Sequence, residues 1–96
     1  MCGYTSFVSY MAVYSEIADI LNSRPGIKAE VRDDGVSGWV VVNLGDKTVV
    51  VGDTTEKWVV AAPDSDIKRT TEYTDLHIPV ENRNATKITK AFLAAL

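Results

Sequence analysis

The stretch WVVVNLGDKTVVV, residues 39–51, decides the fold. Two runs of β-branched and aromatic residues flank Gly45-Asp46, and a Gly-Asp pair in that position is typical of a two-residue hairpin loop. The pattern therefore predicts two antiparallel strands joined by a tight turn. The predicted register pairs Trp39 with Gly52, Val41 with Val50, Val42 with Val49 and Leu44 with Lys47.

Further strands are predicted on both sides of this hairpin. Upstream, Ile27, Ala29 and Val31 alternate with charged residues, which indicates a strand with one solvent-facing side. Asp33-Asp34-Gly35 is a turn signal between that strand and the hairpin. Downstream, residues 57–62 form another strand, and residues 67–73 and 76–80 are weaker candidates. Pro79 indicates that the last of these lies at an edge.

A helix is predicted at each end of the chain. Apolar residues recur at three- and four-residue spacing from Phe7 to Leu21. Ser9 is the expected N-cap, with Thr5 and Ser6 as alternatives. A second apolar stripe runs from Ile88 to Leu96 and follows Asn84, a natural N-cap, with Asn82 as the alternative. We therefore expect one α+β domain over residues 1–96, with an antiparallel sheet of four to five strands between two helices (α-β-β-β-β(-β)-α).

Both faces of the predicted sheet are apolar. If Val50 neighbours Trp58, one face carries Val40, Val42, Leu44, Val49, Val51, Val59 and Ala61. The other face then carries Trp39, Val41, Asn43, Thr48, Val50, Trp58 and Val60. Two helices scarcely suffice to cover both faces, and a large exposed apolar patch usually marks a partner surface. We therefore expect either a protein-binding surface, with self-association as a homodimer, or residues 64–80 folded back over this face.

Composition and charge narrow the function classes. The chain has 96 residues, a formal net charge of −3 and one cysteine, which excludes a disulfide framework. No apolar run is long enough for a membrane span, and the cytoplasm is the default expectation. No cofactor loop or metal-ligand pattern is present, so we expect neither a cofactor nor a metal.

The first residues carry one resemblance. Met1-Cys2-Gly3 resembles the start of class II glutamine amidotransferases, and also of the domain family that crosslinks to abasic DNA through a terminal cysteine. The resemblance implies that Cys2, once Met1 is removed, is a nucleophile. It covers three residues, and the further catalytic residues of those families have no match here.

The end of the chain carries a second resemblance to a known family. Residues 82–96 contain Arg83, Lys87 and Lys90 and no acid, and these three basic residues are predicted to lie on one face of the last helix. The order helix, strands, helix is similar to that of the double-stranded-RNA-binding domain, whose last helix begins with lysines that grip phosphates. The resemblance implies nucleic-acid binding by these three residues. That family's glycine turn and paired lysines are absent, since Pro79-Val80-Glu81 stands there instead.

The remaining candidate groups have ordinary explanations. His77 is the single histidine, and one histidine with one distant cysteine does not make a zinc site. The acidic pairs Asp33-Asp34 and Asp64-x-Asp66 lie beside turns, where Asp is a favoured residue.

The apolar sheet face, together with the lack of paired catalytic groups in the sequence, predicts a non-catalytic protein-binding module. Small chains of this kind are common in bacteria and phages, where many inhibit or regulate a larger protein. Nucleic-acid binding is the alternative.

Overall fold

The computed structural model describes the backbone of residues 2–96 and the side chains of residues 11–96. Helix α1 spans Cys2–Asn22 and α2 spans Ala85–Ala94, with five strands between them. The strands are β1 (Lys28–Asp33), β2 (Gly38–Asn43), β3 (Thr48–Asp53), β4 (Lys57–Ala61) and β5 (Thr74–Pro79). They form one antiparallel sheet in sequence order, β1-β2-β3-β4-β5. The α+β prediction is confirmed, with five strands.

The central hairpin has the predicted register. Trp39 pairs with Gly52 and Val41 pairs with Val50, and the Leu44 N–H donates to the Lys47 carbonyl at 2.8 Å. Gly45 takes a φ of 97°, a left-handed conformation that a two-residue hairpin loop requires and that glycine adopts without steric cost.

Helix α1 is longer than predicted. It begins at Cys2, so the expectation that Ser9 is its N-cap is wrong. Serine is only mildly unfavourable inside a helix, and the apolar spacing around it supports continuous helix on both sides. At the other end, α2 follows Asn84 as predicted, and the Asn84 side chain accepts a hydrogen bond from the Lys87 N–H at 3.0 Å.

The pairing of β3 with β4 differs from the prediction. Val50 pairs with Ala61 rather than lying beside Trp58, which pairs with Asp53. Strand β3 extends to Asp53, and the Thr54 hydroxyl accepts the N–H groups of Glu56 and Lys57, which fixes a tight turn. Because side chains alternate between faces, this register moves Trp58 and Val60 to one face and Val59 and Ala61 to the other. The predicted assignment of these four residues was wrong.

Both helices cover one face of the sheet, which we call the first face and which carries Val40, Val51 and Trp58; the opposite face is the second face. The core on the first face joins the helices to the inward side chains of β2, β3, β4 and β5. The largest completely buried side chains there are Tyr14, Ile17, Leu21, Val40, Val42, Val51, Trp58, Ile88 and Phe92. Burial of this much aliphatic and aromatic surface is the main source of the fold's stability.

Residues 62–73, which we call the strap, connect β4 to β5 across the second face. The predicted strand at 67–73 is wrong. Instead the Arg69 and Thr70 N–H groups donate to the Asp66 carbonyl in a single helical turn. The Asp66 carboxylate also accepts the Lys68 N–H at 3.2 Å, a local bond that competes with extended pairing. The expectation that the chain folds back over this face is confirmed for the strap, whereas residues 74–79 join the sheet as β5, where Pro79 lies in an edge strand as predicted.

Candidate functional site

The second face of the sheet is half covered. Residues whose side chains share this face, by strand alternation, are Trp39, Val41, Asn43, Thr48, Val50, Val59 and Ala61. The strap packs on Val50, Val59 and Ala61, all buried, which we call the covered half. Trp39, Val41 and Thr48 are half-buried and Asn43 is exposed, and these four form the open half. The structure thus leaves four of the seven predicted protein-binding residues accessible.

Three predicted members of that set are not accessible on this face. Val50 is buried beneath the strap. Trp58 is completely buried on the helix face, where its ring lies 5.7 Å from that of Tyr14 and its Nε1–H donates to the Asn82 carbonyl at 3.0 Å. Val60 lies half-buried on that same helix side. Trp58 is therefore part of the core.

Ile67 anchors the strap to the sheet. Its side chain is 4% exposed and packs in the same cluster as Val50 and Val59. A Cβ atom at Gly52 would lie 3.1 Å from Ile67 Cγ1 and 3.4 Å from Trp39 Cβ. The bare backbone of Gly52 therefore forms a notch that admits the isoleucine side chain, with Trp39 as one wall.

The open half adjoins a shallow depression of about 500 Å³. Its lining residues are Asn22, Lys28, Ala29, Glu30, Val41, Asn43 and Thr48. Lys28, Glu30 and Arg32 of β1 pair with Asn43, Val41 and Trp39 of β2 and so project on the same side of the sheet. The open half is thus an apolar strip beside a row of alternating charges.

The outer edge of β1 is partly closed. The Asn22 side chain donates to the Ala29 carbonyl at 2.9 Å and accepts the Ala29 N–H at 2.7 Å. These bonds occupy both backbone groups that an added strand would need at this position. A partner therefore finds the face of the sheet more accessible than this edge.

A buried carboxylate lies at the end of β3, on the helix face. Asp53 is completely buried and accepts a hydrogen bond from the Tyr14 hydroxyl. Its Oδ2 lies 3.5 Å from Arg83 Nη2 and 3.8 Å from Lys68 Nζ, and Lys68 Nζ also donates to the Asp53 carbonyl at 2.6 Å. The Arg83 guanidinium stacks 5.3 Å from the Trp58 ring centroid. Charge pairing compensates the burial of this carboxylate.

Sequence reasoning missed Asp53. No sequence pattern used above singles it out, although Val49, Val51 and Asp53 follow the two-residue alternation of one face. An aspartate at the next position of a row of inward-facing valines is the sequence signal that could have identified Asp53 as a buried charge.

The predicted basic site at the end of the chain is divided. Arg83 precedes α2 and turns toward Asp53, so it does not share a helix face with the lysines as predicted. Lys87 and Lys90 are exposed on α2. Two lysines without the arginine provide fewer phosphate contacts than the prediction assumed.

His77 lies in a cluster with Lys57 and Asp75 at the β4–β5 edge. A register shift in this strand pair gives His77 a φ of 59°, and its side chain is 85% exposed. Asp75 accepts the His77 N–H at 2.7 Å, and this bond together with the Lys57 ammonium at 3.0 Å lowers the pKa of Asp75. Asp75 in turn raises the pKa of Lys57, with a smaller contribution from Tyr73. Both groups of the ion pair are therefore held in their charged forms, which is unsuited to proton transfer near neutral pH.

The described residues assemble neither the predicted cysteine nucleophile nor a metal site. The side chain of Cys2 lies outside them. Within residues 11–96, no three metal-ligating side chains of the His, Cys, Asp or Glu type come together. In the portion of the chain that the structure describes, no helix has both the length and the apolar character needed to cross a bilayer. Comparison of the chain with protein-family models, with curated proteins and with solved structures finds no match.

Proposed function

We propose that the protein is a non-catalytic protein-binding module that contacts its partner through the open half of the second face. The observation that supports this proposal is that the strap covers only half of a continuous apolar face of the sheet. The strap buries Val50, Val59 and Ala61, whereas Trp39 and Val41 stay partly accessible on the same strands. Partly exposed apolar surface beside a depression is typical of binding surfaces.

The open half suits a partner with an apolar centre and a charged border. Trp39 is held against Gly52 and the strap, so it is a rigid aromatic anchor that loses little side-chain entropy on binding. Lys28, Glu30 and Arg32 present alternating charges beside it, and Arg32 pairs with Glu30 at 3.2 Å. Such a border favours a partner surface of alternating opposite charge.

The module acts by covering a surface of a larger protein, as an inhibitor or regulator in the cytoplasm. Its size supports this role, because a 96-residue chain can present one standard binding surface. Two copies of the chain could also pair through the open half. The mass of the crosslinked product distinguishes a larger partner protein from a second copy.

Photo-crosslinking from the open half tests the proposal. A benzophenone amino acid replaces exposed Asn43, and a matched control carries it at exposed Thr55 in the β3–β4 turn. We expect a covalent protein adduct from position 43 and none from position 55, with Val41→Lys abolishing the adduct. Mass spectrometry of the adduct shows whether the partner is a larger protein or a second copy. Equal labelling from both positions, or an adduct that Val41→Lys leaves unchanged, would refute the proposal.

A further inference from the structure

We infer that the strap is a displaceable cover, and that Ile67 and Lys68 occupy a binding site for a partner segment carrying an aliphatic residue followed by a basic one. This inference rests on the proposed function, because it extends the same face beneath the strap. In the structure the strap occupies the place that the partner segment would take, so the strap competes with the partner for the covered half.

The notch at Gly52 sets the aliphatic requirement. Ile67 fills the space above the Gly52 backbone and contacts the cluster formed by Val50 and Val59. A β-branched or leucine side chain from another chain fits the same space, because the recognition is by shape and apolar burial. With the strap displaced, the face exposed is continuous with the open half through Trp39.

The end of β3 sets the basic requirement. Lys68 directly follows Ile67, and its ammonium group reaches around the sheet end to the carbonyl and carboxylate of Asp53. Its side chain is 30% exposed, so its departure is open to water. When it leaves, Asp53 keeps the Tyr14 hydroxyl and the Arg83 guanidinium, so the buried carboxylate is not stranded. A partner's lysine or arginine can take the vacated place.

The strap is able to move as a unit because its bonds are largely local. The Ser65 N–H donates to the Ala62 carbonyl, and the turn closed by Asp66 includes the N–H groups of Arg69 and Thr70. The Thr70 hydroxyl accepts the Glu72 N–H. These bonds lie within residues 62–73 and survive displacement. The Ile67 packing, the Lys68 contacts with Asp53 and the Tyr73 packing on the covered half are given up, together with the Lys57 Nζ contact 5.3 Å from the Tyr73 ring centroid.

A peptide of residues 62–73, supplied in trans, is the probe. The full chain with Ile67→Ser and Lys68→Ser releases its own strap and leaves the notch vacant. We expect the labelled peptide to bind this opened variant about tenfold or more tightly than the wild type, whose tethered strap competes at high effective concentration. The same peptide with serine at both positions is expected to show no change in fluorescence anisotropy. Gly52→Val in the opened variant fills the notch and is expected to abolish binding.

The outcomes separate this inference from the proposed function. An opened variant that retains cooperative unfolding but does not bind the peptide overturns the inference, whatever position 43 crosslinks. Peptide binding without an adduct from position 43 supports the notch site and counts against the open half. If the double variant fails to unfold cooperatively, Ile67→Ala alone takes its place, because it removes the atoms that fill the notch over Gly52. Binding that is equal for the native and the serine-substituted peptide also overturns the inference.

Discussion

Lys68 contacts Asp53 in two ways, by a hydrogen bond to its carbonyl oxygen at 2.6 Å and by an ion pair with its carboxylate at 3.8 Å. The same carboxylate accepts the Tyr14 hydroxyl of α1 and faces Arg83, which precedes α2. One buried group thus joins the strap, both helical regions and the end of β3. The end of β3 is therefore tied to the strap and to both helical regions through this one carboxylate.

Replacing Asp53 with asparagine should destabilise the fold strongly. The amide keeps the shape but removes the negative charge that two cations face. We expect a loss of about 3 kcal/mol in the free energy of unfolding, less than for a fully enclosed pair because both cations are partly exposed. Urea denaturation measures this, with Asp46→Asn in the exposed hairpin loop as control. Equal stability of the two variants would show that the buried charge is not needed.

Ile67 and Val36 make a matched pair for the strap. Ile67 is 4% exposed, whereas Val36, in the β1–β2 turn, is 83% exposed. We expect Ile67→Ala to cost about 2 kcal/mol, at the low end for a buried isoleucine because the strap can settle. Val36→Ala should change stability by less than about 0.5 kcal/mol. A cost for Ile67→Ala as small as that for Val36→Ala, in the same urea series, would show that the strap contributes little to the folded state.

The two strand pairings on either side of β3 show how far sequence reasoning reaches. Gly45-Asp46 restricts the β2–β3 loop to one geometry, so the register of Trp39 with Gly52 followed directly. The next connection has no such dipeptide, and its turn depends on the Thr54 side chain. The observed register differs by three residues from the expected pairing of Val50 with Trp58. Because an odd shift exchanges the two faces, it moved Trp58 and Val60, two of the seven predicted site residues, to the helix face.

The site was harder to predict than the fold because it depends on non-local contacts. Trp39 and Val41 were placed on the second face by their own hairpin. That Val50 is buried there depends on Ile67, seventeen positions away, and periodicity carries no information about where a strap folds. Arg83 likewise fits the spacing of a basic helical stripe, and only its ion pair with Asp53, on a distant strand, separates it from Lys87 and Lys90.

The Asn84 cap should account for a measurable share of the stability of α2. Its side-chain oxygen accepts the Lys87 N–H at 3.0 Å, which satisfies one of the unpaired donors of the first turn. We expect Asn84→Ala to cost about 1 kcal/mol. For a domain of this size that lowers the melting temperature by about 4–8 °C. Thr86→Ala, exposed in the first turn, is the control for the calorimetry. A shift no larger than that of the control would contradict the capping role.

Acid should weaken the β1–β2 turn through Asp34. Hydrogen bonds from the N–H groups of Ser37 and Val36 lower the pKa of Asp34 below its ordinary value of 3.8. The unfolded chain then binds the proton more readily, so this contribution to stability is full above pH 3.8 and is lost as the pH falls through the lower folded value. We expect the stability difference between wild type and Asp34→Ala to be largest at neutral pH and to shrink in acid. Asp64→Ala in the strap is the control. A difference that grows in acid would reverse the predicted sign.

Weak binding to polyanions is expected despite the basic end of the chain. Arg83 faces Asp53, so Lys87 and Lys90 stand alone on α2, and the chain carries a net charge of −3. A protein that contacts few phosphates or sulfates releases few counterions, so its affinity for a polyanion is low even at modest salt. We expect elution from heparin below about 0.15 M salt, with Lys87→Glu and Lys90→Glu together removing what retention there is. Retention above that concentration, lost in the double variant, would instead favour a nucleic-acid interface on α2 over the second face of the sheet.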